Sequence, residues 1–137
     1  MATFIDGGVT APKGFRAAGI HCGIRKNRTK KDLALIVSDV SASAAAVHTR
    51  NLVKGAPNTV TAAHLADGTA RAIICNSGIA NTCAFDGVEK ATAMCELAAK
   101  ALGLKTEDVL VASTGVIGPS IQLEPIEQGL PALVAAL

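Results

Sequence analysis

Ser113, Thr114 and Gly115 close an apolar run that begins at Val109, in the stretch VLVASTGVIG. A hydroxyl beside a residue without a Cβ has a specific chemical use. Where a strand stops and turns toward a helix, backbone N–H groups gather at the carboxyl edge of the sheet, the place where open α/β sheets bind ligands. Gly115 can take φ > 0 and let a bound molecule approach the backbone closely. The Thr114 hydroxyl and a backbone N–H aimed at one point would form an oxyanion hole, which acts on charge that develops only in the transition state. A tight turn that needs glycine for its geometry, with both hydroxyls satisfying local backbone, uses the same residues. Residue types alone leave both roles open.

Other chemistries find less support. The segment lacks the G-K-[ST] of a phosphate-binding loop, GVIG does not have the spacing of a dinucleotide fingerprint, and Ser113 is not framed as G-x-S-x-G. His21, His48 and His64 show no metal-ligand spacing and are expected at the surface or satisfied in the core. Cys22, Cys75, Cys83 and Cys95 form no C-x-x-C pair and no zinc-type pattern, so free, mostly buried thiols in a reducing compartment are expected. Asp6, Asp32, Asp39 and Asp86 fall at strand or helix boundaries, where turns and capping account for them. No metal or cofactor site is expected, and an acid/base partner for the Thr114–Gly115 loop must come from elsewhere.

Two strand-loop-helix units are expected to position this loop. RAIICNSGIAN reads as a strand running into Asn-Ser-Gly, followed by a helix from about Val88 to Leu102; DVLVASTGVIG reads as a strand ending at Ser-Thr-Gly, followed by a helix from about Pro125 to Leu137. Asp86 is the expected N-cap of the first helix, with Glu89 completing a capping box and Gly103 at C′. Ala91, Met94, Cys95, Ala98, Ala101 and Leu102 fall on one helical face, which makes Met94 and Cys95 core filling. Upstream, the first 15 residues read as an irregular lead-in, FRAAGIHCGI as a strand, and DLALIVSD as a strand buried on both faces. SAAAVHT is a weaker strand candidate, and VTAAHLADG reads as a short helix stopped by Gly68. Between the first two strands, RKNRTKK reads as a solvated hairpin tip, with an anion-binding patch as the alternative.

At 137 residues, without a proline- or serine-rich linker, the chain is expected to form a single α/β domain over 1–137. Half the residues are apolar, yet Trp and Tyr are absent and Phe occurs three times, so the core must be built from Ala, Val, Leu and Ile. A formal charge of +2 with so few aromatics argues against a nucleic-acid surface. There is no signal-peptide pattern and no apolar run of membrane-spanning length, so a cytoplasmic protein without membrane association is expected. The closing LPALVAAL reads as the middle of a packed element rather than its end.

Taken together and in order, GGVTAPKGFRAAG, KDLALIVSD, ARAIICNSGIAN and EDVLVASTGVIG resemble the N-terminal portion of the ornithine acetyltransferases, or glutamate N-acetyltransferases, the ArgJ family. The resemblance covers nearly the whole chain. It implies an α/β fold of ArgJ/DmpA-like type, a mixed β-sheet layered with helices and incomplete without a C-terminal β chain. Family members cut themselves at an internal Ala-Thr bond, and the freed threonine of the β chain is the nucleophile, with its own amine as base. Acetyl passes from N-acetyl-ornithine to glutamate through an acetyl-threonine ester, in arginine biosynthesis and without a cofactor; some members also accept acetyl-CoA.

Carried over by position, Thr114 and Gly115 form the oxyanion hole. The implied partners are the β chain of the same precursor, in an assembly of two α and two β chains, with N-acetyl-ornithine and glutamate as substrates. Ile79 stands where the family shows a polar side chain in N-S-G-N-A-N. The chain ends at Leu137, ahead of the expected cleavage site and nucleophile, so alone it is expected to be inactive. Two alternatives stand beside this one: a related self-processing N-terminal-nucleophile aminopeptidase, and a non-catalytic module of the same fold in which the Gly115 segment is only a turn.

Overall fold

The apolar runs of the sequence assemble into one mixed four-stranded sheet in a computed structural model that describes residues 3, 4 and 6–137. The strands β1 (Phe15–Ile20), β2 (Leu33–Ser43), β3 (Thr69–Ile79) and β4 (Val109–Val116) lie in the order β1-β2-β3-β4. β1, β2 and β3 pair antiparallel; β3 and β4 pair parallel, joined by a crossover through a helix. The helices are α1 (Ala56–His64), α2 (Gly87–Leu102) and α3 (Glu124–Ala135). α1 starts at Gly55-Ala56-Pro57, earlier than its apolar pattern predicts, because Pro57 suits a first helical turn, where its missing N–H costs nothing. It gives way to a 3-10 turn over Leu65–Asp67 that Gly68 ends in a left-handed conformation.

Side-chain alternation sorts the sheet into two unlike faces. Leu33, Leu35 and Val37 of β2, Ala72 and Ile74 of β3, and Val109 and Val111 of β4 are buried toward the helices. There they meet Ala91, Met94, Cys95 and Ala98 of α2 and Ile126, Leu130 and Leu133 of α3. With Cys95 fully buried, its thiol is pushed up to about 12, first by desolvation and then by Glu96. Met94 and Cys95 are therefore core filling, as their spacing predicts. Ala99 takes the place expected of Ala101, which is exposed.

The opposite face carries Ala17, Ala34, Ile36, Ile73, Cys75 and Leu110, and among the described residues no helix covers it. β2 is thus buried on one face and half-exposed on the other, rather than buried on both. A shallow cavity of about 200 Å³ lies there, lined by Phe15, Ile36, Ile73 and Leu110 among others.

Several boundaries differ from expectation for identifiable reasons. β1 stops at Ile20 rather than running to Ile24, because Asp32 captures the backbone beyond it. β2 runs to Ser43 through a register shift between Val37 and Ala42, and residues 44–50 form no strand. That alanine-rich segment has little to pack with on a pleated surface. Asp86 occupies the N-cap of α2 but makes no capping hydrogen bond; its carboxylate accepts from Ser120 Oγ at 2.7 Å instead. α3 covers Glu124–Ala135, two residues short of the predicted end. Of the irregular lead-in, residues 1, 2 and 5 lie outside the described residues.

Candidate active site

β4 does not stop at Ser-Thr-Gly. It continues in parallel register with β3 through Asn76↔Ser113, Ser77↔Thr114, Gly78↔Gly115 and Ile79↔Val116. The reason lies in a pair of glycines. Gly115 adopts φ +137°, and a Cβ there would sit 2.2 Å from the carbonyl carbon of Gly78 and 2.6 Å from the nitrogen of Ile79. The positive φ agrees with the expectation, and the bare Cα also lets two strands close on each other, a use the sequence reading did not include.

β4 is the outer strand, and α1 guards only its first half. Thr61 Oγ1 donates to the carbonyl of Val111 at 2.9 Å and accepts from its N–H at 3.2 Å, while His64 Nδ1 donates to the carbonyl of Val109 at 2.7 Å. These bonds fix the strand's alternation: odd-numbered residues direct backbone groups outward, even-numbered ones toward β3. The carbonyl of Val116 conforms, accepting from Ala80 N at 2.9 Å on the β3 side. By the same alternation the Gly115 N–H faces the outer edge, past the reach of α1. Thr114 is exposed, and its side chain shares the uncovered sheet face with Ser77. A hydroxyl and an outward N–H thus adjoin at the carboxyl end of a parallel strand pair.

The neighbouring Asn76–Asn81 segment is structural. Asn76 Nδ2 donates to the carbonyl of Ile79 at 3.0 Å, and Asn81 Nδ2 donates to that of Gly87 at 2.8 Å. Both side chains are buried on the helix side. Ser113 faces the same way, and its Oγ is buried without a hydrogen-bond partner among the described residues.

Two residues beside the site escaped the sequence reading. Asp32 is not merely a boundary residue: its buried carboxylate accepts from the backbone N–H groups of Cys22 at 2.7 Å, Gly23 at 3.3 Å and Arg25 at 2.8 Å. Desolvation raises its pKa, yet the N–H donors of Arg25 and Cys22, with His21 adding attraction, hold it below the ordinary carboxylate value. Arg25 consequently leaves the solvated tip and turns inward, where its Nε donates to Ser77 Oγ at 2.9 Å. Lys26 to Lys31 remain exposed, as expected of the tip. The sequence carries no signal for this arrangement, because the donors to Asp32 are backbone groups and Ser77 lies 52 positions from Arg25.

The histidines are satisfied: His21 Nδ1 faces Asp32 Oδ2 at 3.0 Å and the Lys30 carbonyl at 3.1 Å, and His48 Nδ1 lies 3.2 Å from Asn58 Oδ1. Of the thiols only Cys95 is fully buried; Cys22 and Cys75 are half-buried and Cys83 is exposed, fewer buried than expected. Desolvation and the adjacent Asp32 push the Cys22 thiol up to about 11, so it is no nucleophile at neutral pH. Among the described residues no group of three or more His, Cys, Asp or Glu could hold a metal ion, and no helix is long and apolar enough to cross a membrane.

Comparison with known proteins bears on this arrangement. The sequence model of the ArgJ family matches residues 16–137. The chain belongs to the ArgJ family. It is 51% identical over 135 residues to the arginine biosynthesis bifunctional protein ArgJ of Thermosynechococcus vestitus, covering 97% of this chain and 32% of that protein. Its identity to the ArgJ protein of Bacillus subtilis is 44%, over 94% of this chain and 32% of that one.

Among solved structures, ArgJ from Bacillus halodurans superposes with a TM-score of 0.86 at 42% identity, covering 91% of this chain and 65% of that chain. An ornithine acetyltransferase from Mycobacterium tuberculosis, crystallised with ornithine, gives 0.86 at 40% identity, covering 93% and 69%. The mixed sheet with three helices is therefore the ArgJ fold in part. The chain spans about a third of the length of the curated relatives it matches.

Proposed function

We infer that residues 1–137 form a single α/β domain, the N-terminal part of a cytoplasmic acetyltransferase of arginine biosynthesis. In this reading a C-terminal chain of the same precursor, beginning with threonine, completes the site by covering the open sheet face, in an assembly of two copies of each chain. Its threonine Oγ attacks the acetyl carbonyl of N-acetyl-ornithine while its own amine takes the proton. Negative charge gathers on the carbonyl oxygen, where the Thr114 hydroxyl and the Gly115 N–H donate to it. The C–N bond breaks, ornithine leaves with the proton, and acetyl remains as a threonine ester. Attack by the glutamate amine then releases N-acetyl-glutamate and the free threonine. The chemistry requires no cofactor.

One observation carries this reading: the Gly115 N–H on the unguarded edge of β4 lies beside the exposed Thr114 hydroxyl, next to a sheet face that the described residues leave uncovered. Intact-mass analysis of the protein expressed from its full-length gene tests it. A second polypeptide with N-terminal threonine, gaining one acetyl group on exposure to N-acetyl-ornithine, is the expected result. An uncleaved chain, or a cleaved one that gains no acetyl group, would contradict it.

A further inference from the structure

A groove of about 430 Å³ runs beside the donor pair, with Arg25, Lys26 and Asn27 along one wall and Gly78, Gly115 and Val116 along the other. Two cations line it and no acidic side chain does. We propose that this groove receives the α-carboxylate of the N-acylated amino acid, with Arg25 as the residue that binds it and Asp32 as the positioning residue that holds Arg25 in place. The proposal deepens the acetyltransferase reading and rests on it for the identity of the substrate.

Arg25 is fixed at both ends. Its backbone N–H is held by the buried Asp32 carboxylate at 2.8 Å, and its Nε by Ser77 Oγ at 2.9 Å. Between those points its stem lies against the backbone of Gly78, where a Cβ would come within 3.1 Å of Arg25 Cγ. Among the described residues neither Nη has a hydrogen-bond partner, so the outer fork of the guanidinium is available to a planar anion. A guanidinium ordered before binding loses little freedom when a carboxylate arrives.

Position supplies the second reason. Ser77 is the register partner of Thr114, and Gly115 forms part of the groove itself. In an N-acetylated amino acid only the amide nitrogen and Cα separate the acetyl carbonyl from the α-carboxylate. A carbonyl oxygen held by Thr114 and Gly115 therefore brings the carboxylate into this groove. Lys26, exposed on the rim, adds charge without a fixed geometry.

The complete processed enzyme provides the test, with a probe that cannot transfer acetyl: N-methanesulfonyl-L-ornithine and its α-carboxamide, titrated calorimetrically. Wild type should bind the acid at least about tenfold tighter than the amide. Arg25→Gln should bring the two affinities together, Arg25→Lys should retain part of the preference, and Asp32→Asn should weaken the acid alone. A folded Arg25→Gln or Arg25→Lys enzyme with the full preference would overturn the proposal, as would a wild type that binds neither probe or does not distinguish them. Acetyl transfer to glutamate is assayed in parallel. If it is absent while the acid preference is present and depends on Arg25, the acetyltransferase reading falls and the carboxylate groove stands.

Discussion

At Gly115 a single methyl group is incompatible with the sheet. A Cβ would lie 2.2 Å from Gly78 backbone, at a φ that side chains avoid. Gly115→Ala should therefore cost roughly 3 kcal/mol in denaturant unfolding, from overpacking and backbone strain together. Asp32 is the other residue on which local geometry turns. Its folded pKa lies below the unfolded value of 3.8, so its contribution is complete at neutral pH and is lost as pH falls through the folded value. Wild-type stability, followed by thermal unfolding between pH 6 and pH 2, should fall more steeply than that of Asp32→Asn, which lacks this proton linkage. Neither role was legible in the sequence. A glycine's steric partner lies on another strand, and a carboxylate's three donors are backbone N–H groups across a turn, seven to ten residues upstream, whereas the Thr114–Gly115 pair was visible by residue type, although a tight turn uses the same residues.

Among the elements, the two strand-loop-helix units that give the β3–β4 pair and its crossover were plain in the sequence, since each apolar run is followed by a helix-period pattern, the first of them stopped by Gly103. The end of β4 was not. Glycine after an apolar run ordinarily marks a turn, and only a matching glycine on the neighbouring strand converts it into continued pairing. Edge protection was likewise hidden, because Thr61 and His64 read as ordinary helix residues until α1 lies along β4. Thr61→Val leaves the N–H and carbonyl of Val111 without that hydroxyl, and should cost about 1–2 kcal/mol in chemical unfolding. A loss below about 0.3 kcal/mol would show that water replaces the hydroxyl and that α1 is not needed as a guard.

Among the described residues the sheet is layered on one side only: helices cover one face, and the other presents Ile36, Ile73 and Leu110 around a shallow cavity. That asymmetry could not be read from DLALIVSD, because half-burial of Ala34 and Ile36 by their own neighbours leaves an apolar run that looks buried on both sides. It gives the donor pair its setting, since Thr114 and the Ser77–Arg25 contact share the open face. In the proposed reaction Thr114 stabilises the developing oxyanion. The most direct test of that role is the single-turnover rate of acetyl transfer from N-acetyl-ornithine to the enzyme, compared between wild type and Thr114→Ala in the complete assembly. Because Thr114 is exposed, thermal unfolding should be unchanged while the rate falls about 10²–10³-fold and Thr114→Ser restores most of it. A Thr114→Ala rate within about threefold of wild type, with assembly intact, would contradict the assignment.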